Sequence, residues 1–74
     1  GISIFEIRPL DSWVGKSIKD LNIRRVYGIS IIALKNKGGH MKFMPGADYV
    51  VERDIHLMVI GNQEDAEKIV KKLS

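Results

Sequence analysis

Apolar residues fall along this chain in two rhythms, and each rhythm predicts a different element. Residues 2 to 7, "ISIFEI", are β-branched and aromatic and predict a strand. Pro9, Asp11 and Ser12 end it. Ser17 stands in a helix N-cap position, and Asp20 three residues later completes a capping-box pattern, with Trp13 or Val14 placed to pack over the entry. Ile18 and Leu21 share a helical face. Asn22 is a weak helix former, so residues 17 to 27 read as one helix or as two short turns. Gly28 stands where a C-cap glycine belongs.

Residues 29 to 35, "ISIIALK", form a nearly continuous apolar run and predict a central strand buried on both faces. Asn36-Lys37-Gly38-Gly39 predicts a turn, and "HMKFM", 40 to 44, alternates as a returning hairpin strand. Pro45-Gly46 breaks it, and residues 47 to 54 are polar and turn-like around Tyr49, Val50 and Val51. "IHLMVI", 55 to 60, predicts a strand with Ile55, Leu57 and Val59 on one face and His56, Met58 and Ile60 on the other, ended by Gly61. The last element is a helix capped by Asn62. Glu64, Asp65 and Glu67 sit near its start and Lys68, Lys71 and Lys72 near its end, matching the helix dipole. Ala66, Ile69, Val70 and Leu73 make its apolar stripe.

The order β-α-β-β-β-α predicts an α+β fold, with a four-stranded, mainly antiparallel sheet and two helices packed on one face. The first strand returns through a helix, so it is open to parallel pairing with a neighbour. The later strands read as a meander.

With 74 residues the chain is one domain, read as residues 2 to 74, and its small size favours a partner chain. Gly1 in place of Met reads as a cloning remnant before a domain cut from a longer protein. The sequence has no cysteine, which removes disulfides, thiolate metal sites and a cysteine nucleophile and fits a reducing compartment. No apolar run approaches the roughly 20 residues that span a bilayer. The net charge of +3 is spread rather than gathered into the dense basic stripe of a duplex-DNA binder.

The candidate chemistry is sparse. His40 and His56 lie in separate strands, and no nucleophile elbow, zinc-binding helix or phosphate loop is present, so no catalytic residue is assigned and no enzyme is expected. The aliphatic central run and the scattered aromatics do not make a base-stacking sheet, so neither RNA nor DNA is expected as a partner. Asp48, Glu52 and Asp54, beside His56, crowd one stretch that could offer oxygens to calcium, although without EF-hand spacing; the plain alternative is a solvated acidic turn. Arg24 and Arg25 suit the negative end of a helix dipole. Ile18 and Ile23 also flank them, Tyr27-Gly28 follow, and the fold could bring Ser30 and Pro45 near. A planar guanidinium beside apolar walls is half of a nucleotide pocket, and a two-fold dimer would supply the other half.

In order and spacing, "IRP", "VGKSIKDLNIRRVYGISIIAL", Pro45 and "RDIHLMVIG" resemble the C-terminal domain of the regulators of potassium conductance, the TrkA-C or RCK_C domain of Ktr/Trk-type potassium transport regulators, over essentially the whole chain. The resemblance implies a homodimeric, cytoplasmic ligand-sensing module serving a membrane potassium transporter or channel subunit, peripheral to the inner face of the membrane through that partner. It implies no cofactor but a small regulatory nucleotide, cyclic di-AMP, bound in a cleft at the dimer interface. By position that cleft would be lined by Ile18, Lys19, Asn22, Ile23, Arg24, Arg25, Ser30 and Pro45, with Arg24 on a phosphate and the isoleucines against the adenines. The alternatives are a calcium-sensing domain of the same family using the carboxylates of residues 48 to 56, and a dimerisation module without ligand.

Overall fold

The computed structural model describes residues 1–73, with Leu73 described by its backbone alone. Four strands, β1 (Ile2–Ile7), β2 (Ile29–Lys35), β3 (Met41–Phe43) and β4 (His56–Asn62), form one sheet in the order β1-β4-β2-β3. The helices are α1 (Ile18–Leu21), α2 (Ile23–Tyr27) and α3 (Gln63–Leu73), and a single 3-10 turn spans Asp11–Trp13. The architecture is α+β as expected, with α1 and α2 standing where one helix or two turns were read.

Asn22 decides that choice. It adopts φ 50° and ψ 46°, the left-handed region that asparagine tolerates better than most residues, so it ends α1 and begins α2. The Ser17 hydroxyl oxygen accepts from the Asp20 N–H at 3.1 Å, as the capping pattern requires. Gly28 closes α2 at φ 74°, and its N–H donates to the Arg24 carbonyl at 3.0 Å. In the last helix the Asn62 side chain accepts from the Glu64 N–H at 2.9 Å. Ala66 and Ile69 of its stripe are buried, Val70 is half exposed, and Leu73 lies outside the described side chains.

Sheet pairing departs from expectation. β1 pairs with β4 and is antiparallel to it, Ile4 facing Ile60 and Ile7 facing Leu57, so no parallel pair forms. Nor is there a meander. β4 passes over β3 to lie between β1 and β2, and its apolar run Leu57–Ile60 is paired on both edges. Gly61 continues β4 instead of ending it, opposite Ser3 and Ile29. A Cβ there would stand 2.8 Å from Ile29 Cγ2 and 3.1 Å from the Gly28 carbonyl oxygen, so the glycine is required by close approach of the next strand.

Only one face of the sheet is covered. Ile55, Leu57 and Val59 point into the core with Ile7, Trp13, Ile23, Ile29, Val51 and Ile69. Each such side chain contributes about 1.5–3 kcal/mol on leaving water. Trp13 is fully buried and meets the Tyr27 ring edge-on at 5.1 Å, though its indole N–H has no protein partner. The opposite face stays open, so β2 is buried on one face and only partly on the other, unlike the two-sided burial its apolar run predicts.

Candidate functional site

The open sheet face gathers several of the exposed large apolar side chains. Register places Ile2 and Ile4 of β1, Met58 and Ile60 of β4, Ser30 of β2, and Met41 and Phe43 of β3 on it. Ile2 is 77% exposed, Ile4 58% and Phe43 71%, and Met44 beside them is 74% exposed. An apolar patch of this kind on a small domain marks a contact surface. One end of the face is polar. Glu6 lies between Lys35 and His56, with Oε1 3.3 Å from Lys35 Nζ and Oε2 3.5 Å from His56 Nδ1. Hydrogen bonding and charge from Lys35, then from His56, hold the Glu6 carboxyl below the usual glutamate value. The sequence gives no local hint of this trio, because cross-strand register alone brings its members together.

The residues singled out from the sequence are mostly close along the chain. Ile18 and Lys19 on α1, Asn22 between the helices, Arg24 on α2 and Ser30 on β2 follow one another along a single stretch of chain. The loop with Pro45 is tied to both ends of that stretch: Ile18 N–H donates to Tyr49 O at 3.0 Å, Lys19 N–H to Ala47 O at 2.9 Å, and Met44 N–H to Ile32 O at 2.8 Å. The last bond falls at the irregularity between Ile31 and Ala33, where β2 departs from regular pairing with β4. Lys19, Asn22 and Arg24 are exposed, and Ile18, Ser30 and Pro45 are half-buried.

Two members of the expected set have surroundings of their own in the single chain. Ile23 is 3% exposed and belongs to the core, so it supports α2 from beneath instead of lining a surface. Arg25 faces a separate cleft of about 710 Å³ between α2 and α3, which Arg24 does not line. Adjacent residues on a helix point about 100° apart, so a doublet in sequence need not be a pair in space. The sequence carries no signal for this second cleft.

Among the described residues no three carboxylate or imidazole groups gather as a possible metal site, and the carboxylates read from the sequence as a calcium alternative, Asp48, Glu52 and Asp54, form no such group. Glu52 instead accepts from the Tyr49 hydroxyl at 3.3 Å, and Arg53 pairs with Asp11 at 2.9 Å. Burial, then the nearby Glu52 charge, pushes the Tyr49 phenol above its usual value. Among the described residues no helix is long and apolar enough to cross a membrane.

The family model described as TrkA-C domain matches residues 2–74. The Ktr system potassium uptake protein C of Bacillus subtilis (strain 168) is 34% identical over 71 residues, covering 96% of this chain and 32% of that protein. This chain therefore spans about a third of the length of that relative. Among solved structures, the RCK C domain of the potassium transport protein KtrA in complex with cyclic diadenosine monophosphate superposes with a TM-score of 0.82 at 36% identity, covering 95% of this chain and 81% of that one. The RCK_C domain dimer of S. agalactiae BusR in complex with c-di-AMP gives a TM-score of 0.80 at 25% identity, covering 95% of this chain and 93% of that one.

Proposed function

The chain belongs to the TrkA-C domain family, and on that premise we propose that it is the ligand-sensing domain of a cytoplasmic potassium transport regulator, binding cyclic di-AMP between two copies of itself. The observation that carries this reading is the likeness, at 36% identity over almost the whole chain, to a domain solved with that nucleotide. The role is regulatory rather than catalytic.

Physical chemistry supports it. The open apolar face suits a two-fold partner, and in a two-fold dimer Arg24 and its neighbours would be present twice around the symmetry axis. Cyclic di-AMP is itself two-fold symmetric with two phosphates. One Arg24 from each protomer would meet each phosphate by charge-assisted hydrogen bonds. Ile18 and Pro45 would offer apolar contact to the adenines, and Lys19, Asn22 and Ser30 would supply polar contacts. Ile23, buried in the single chain, would act by fixing α2, and Arg25, which lines the α2–α3 cleft, is left out of the proposed contact set. The ligand would bias the dimer only by its differential affinity for two arrangements, and the remainder of the parent protein would pass that bias to a membrane transporter. The exposed face also supports a second reading, a dimerisation module without ligand.

Thermal melts test the proposal. At a hundredfold excess over its Kd, cyclic di-AMP should add about 2.7 kcal/mol to the folded state, raising Tm by about 10–20 °C in a domain of this size. Arg24→Ala should remove that shift while leaving the unliganded Tm nearly unchanged, because the residue is exposed. The ligand reading fails if the nucleotide leaves the wild-type melt where it was, or shifts the variant equally.

A further inference from the structure

We propose that the cleft between α2 and α3 is a docking groove for an acidic, partly apolar segment of a partner protein. Its floor is apolar and firm: Tyr27, Gly28 and Ile69 line it, and the Tyr27 ring is held edge-on by buried Trp13. Val26, 63% exposed, extends that apolar surface to the mouth. Arg25, Lys68, Lys71 and Lys72 surround the floor against one carboxylate, Asp65.

Charge and shape together select the occupant. Arg25 and Lys68 are exposed and form no ion pair with any described residue. Lys72 Nζ rests 5.6 Å from the Tyr27 ring centroid, an exposed contact that a carboxylate can displace. The α3 wall runs from Asp65 to Lys72, about 10 Å of helix, so the cations are strung along a groove and not gathered at a point. A free phosphate would leave the apolar floor wet, and a flat anionic membrane would touch only the rim. A chain segment with spaced carboxylates and one or two large apolar side chains satisfies both parts. Asp65 at one end disfavours a carboxylate there and so fixes which way the segment lies. The groove uses Arg25 and not Arg24, so it stands whether or not the dimer cleft takes a nucleotide.

Nuclear magnetic resonance titration of the 74-residue chain tests this. The probes are a short synthetic peptide of glutamates interspersed with leucine and phenylalanine, its glutamine counterpart, inorganic phosphate, and phosphatidylserine vesicles. The glutamate peptide should give saturable shifts at the Tyr27, Gly28, Lys68 and Ile69 amides. Its Kd should rise at least about tenfold with the glutamine peptide, or in the folded double variant Arg25→Gln, Lys68→Gln. Absence of shifts, shifts confined to the open sheet face, an equal response to phosphate or vesicles, or an unchanged Kd in the variant would each overturn the proposal.

Discussion

Replacing Gly61 with alanine should destabilise the domain, although alanine is ordinarily the better strand residue. An added Cβ would meet Ile29 Cγ2 at 2.8 Å, the Gly28 carbonyl oxygen at 3.1 Å and Ile29 Cα at 3.3 Å. Two of those three atoms are backbone, and Gly61 is held from both sides by Ser3 and Ile29, so β4 cannot slide away. Overpacking of this kind costs about 1–3 kcal/mol. Lower unfolded-state entropy returns about 0.4–1 kcal/mol, leaving a net loss of about 1–2 kcal/mol. A domain this small loses about 4–8 °C of Tm per kcal/mol, so circular dichroism melts at fixed protein concentration should show Gly61→Ala lower by about 5–15 °C. Gly46→Ala is the control, because nothing lies within 4 Å of a Cβ built there. Ile29→Leu, which removes the offending Cγ2, should recover part of the loss. A Gly61→Ala melt at or above the parent's would refute the close-approach argument.

Ile4→Asp should convert dimer to monomer in sedimentation velocity while leaving the circular dichroism spectrum intact, because Ile4 is 58% exposed in the single chain; a dimer that persists would remove the open sheet face as its interface. Tyr49 carries a pH prediction. Its phenol is raised above the usual value of 10.0 by burial and by Glu52, so its contribution is complete below that value and lost as pH climbs through the folded pKa. Urea midpoints should therefore fall more steeply for the parent than for Tyr49→Phe between about pH 9 and pH 11, and parallel slopes would contradict this assignment.

Which parts of this molecule are legible in its sequence follows from how local their causes are. The last helix could be read almost whole, because Asn62, the carboxylates of its first turn and the buried positions Ala66 and Ile69 all act within a few residues. The two faces of β4 were equally plain, since alternation is a local pattern. Strand partners were not. β1 has no feature that names β4 as its neighbour. Gly61 shows the same limit. As a residue type it signals a stop, but its cause is a side chain on β2.

The candidate site divides along similar lines. Local physics offered the arginines as dipole-matched charges or as an anion site, and a family pattern was needed to single out Arg24. Side-chain direction then separated the doublet, sending Arg25 to the α2–α3 cleft, and burial withdrew Ile23 to the core. The Glu6, Lys35 and His56 trio is invisible in sequence because its members come from three strands.

Isothermal titration of the chain with cyclic di-AMP tests the central claim most directly, because stoichiometry distinguishes an interfacial site from one on each protomer. Saturation at one nucleotide per two chains, with the heat lost in Arg24→Ala, is the predicted result. No heat, saturation at one nucleotide per chain, or undiminished heat in Arg24→Ala would contradict a two-fold cleft built around Arg24.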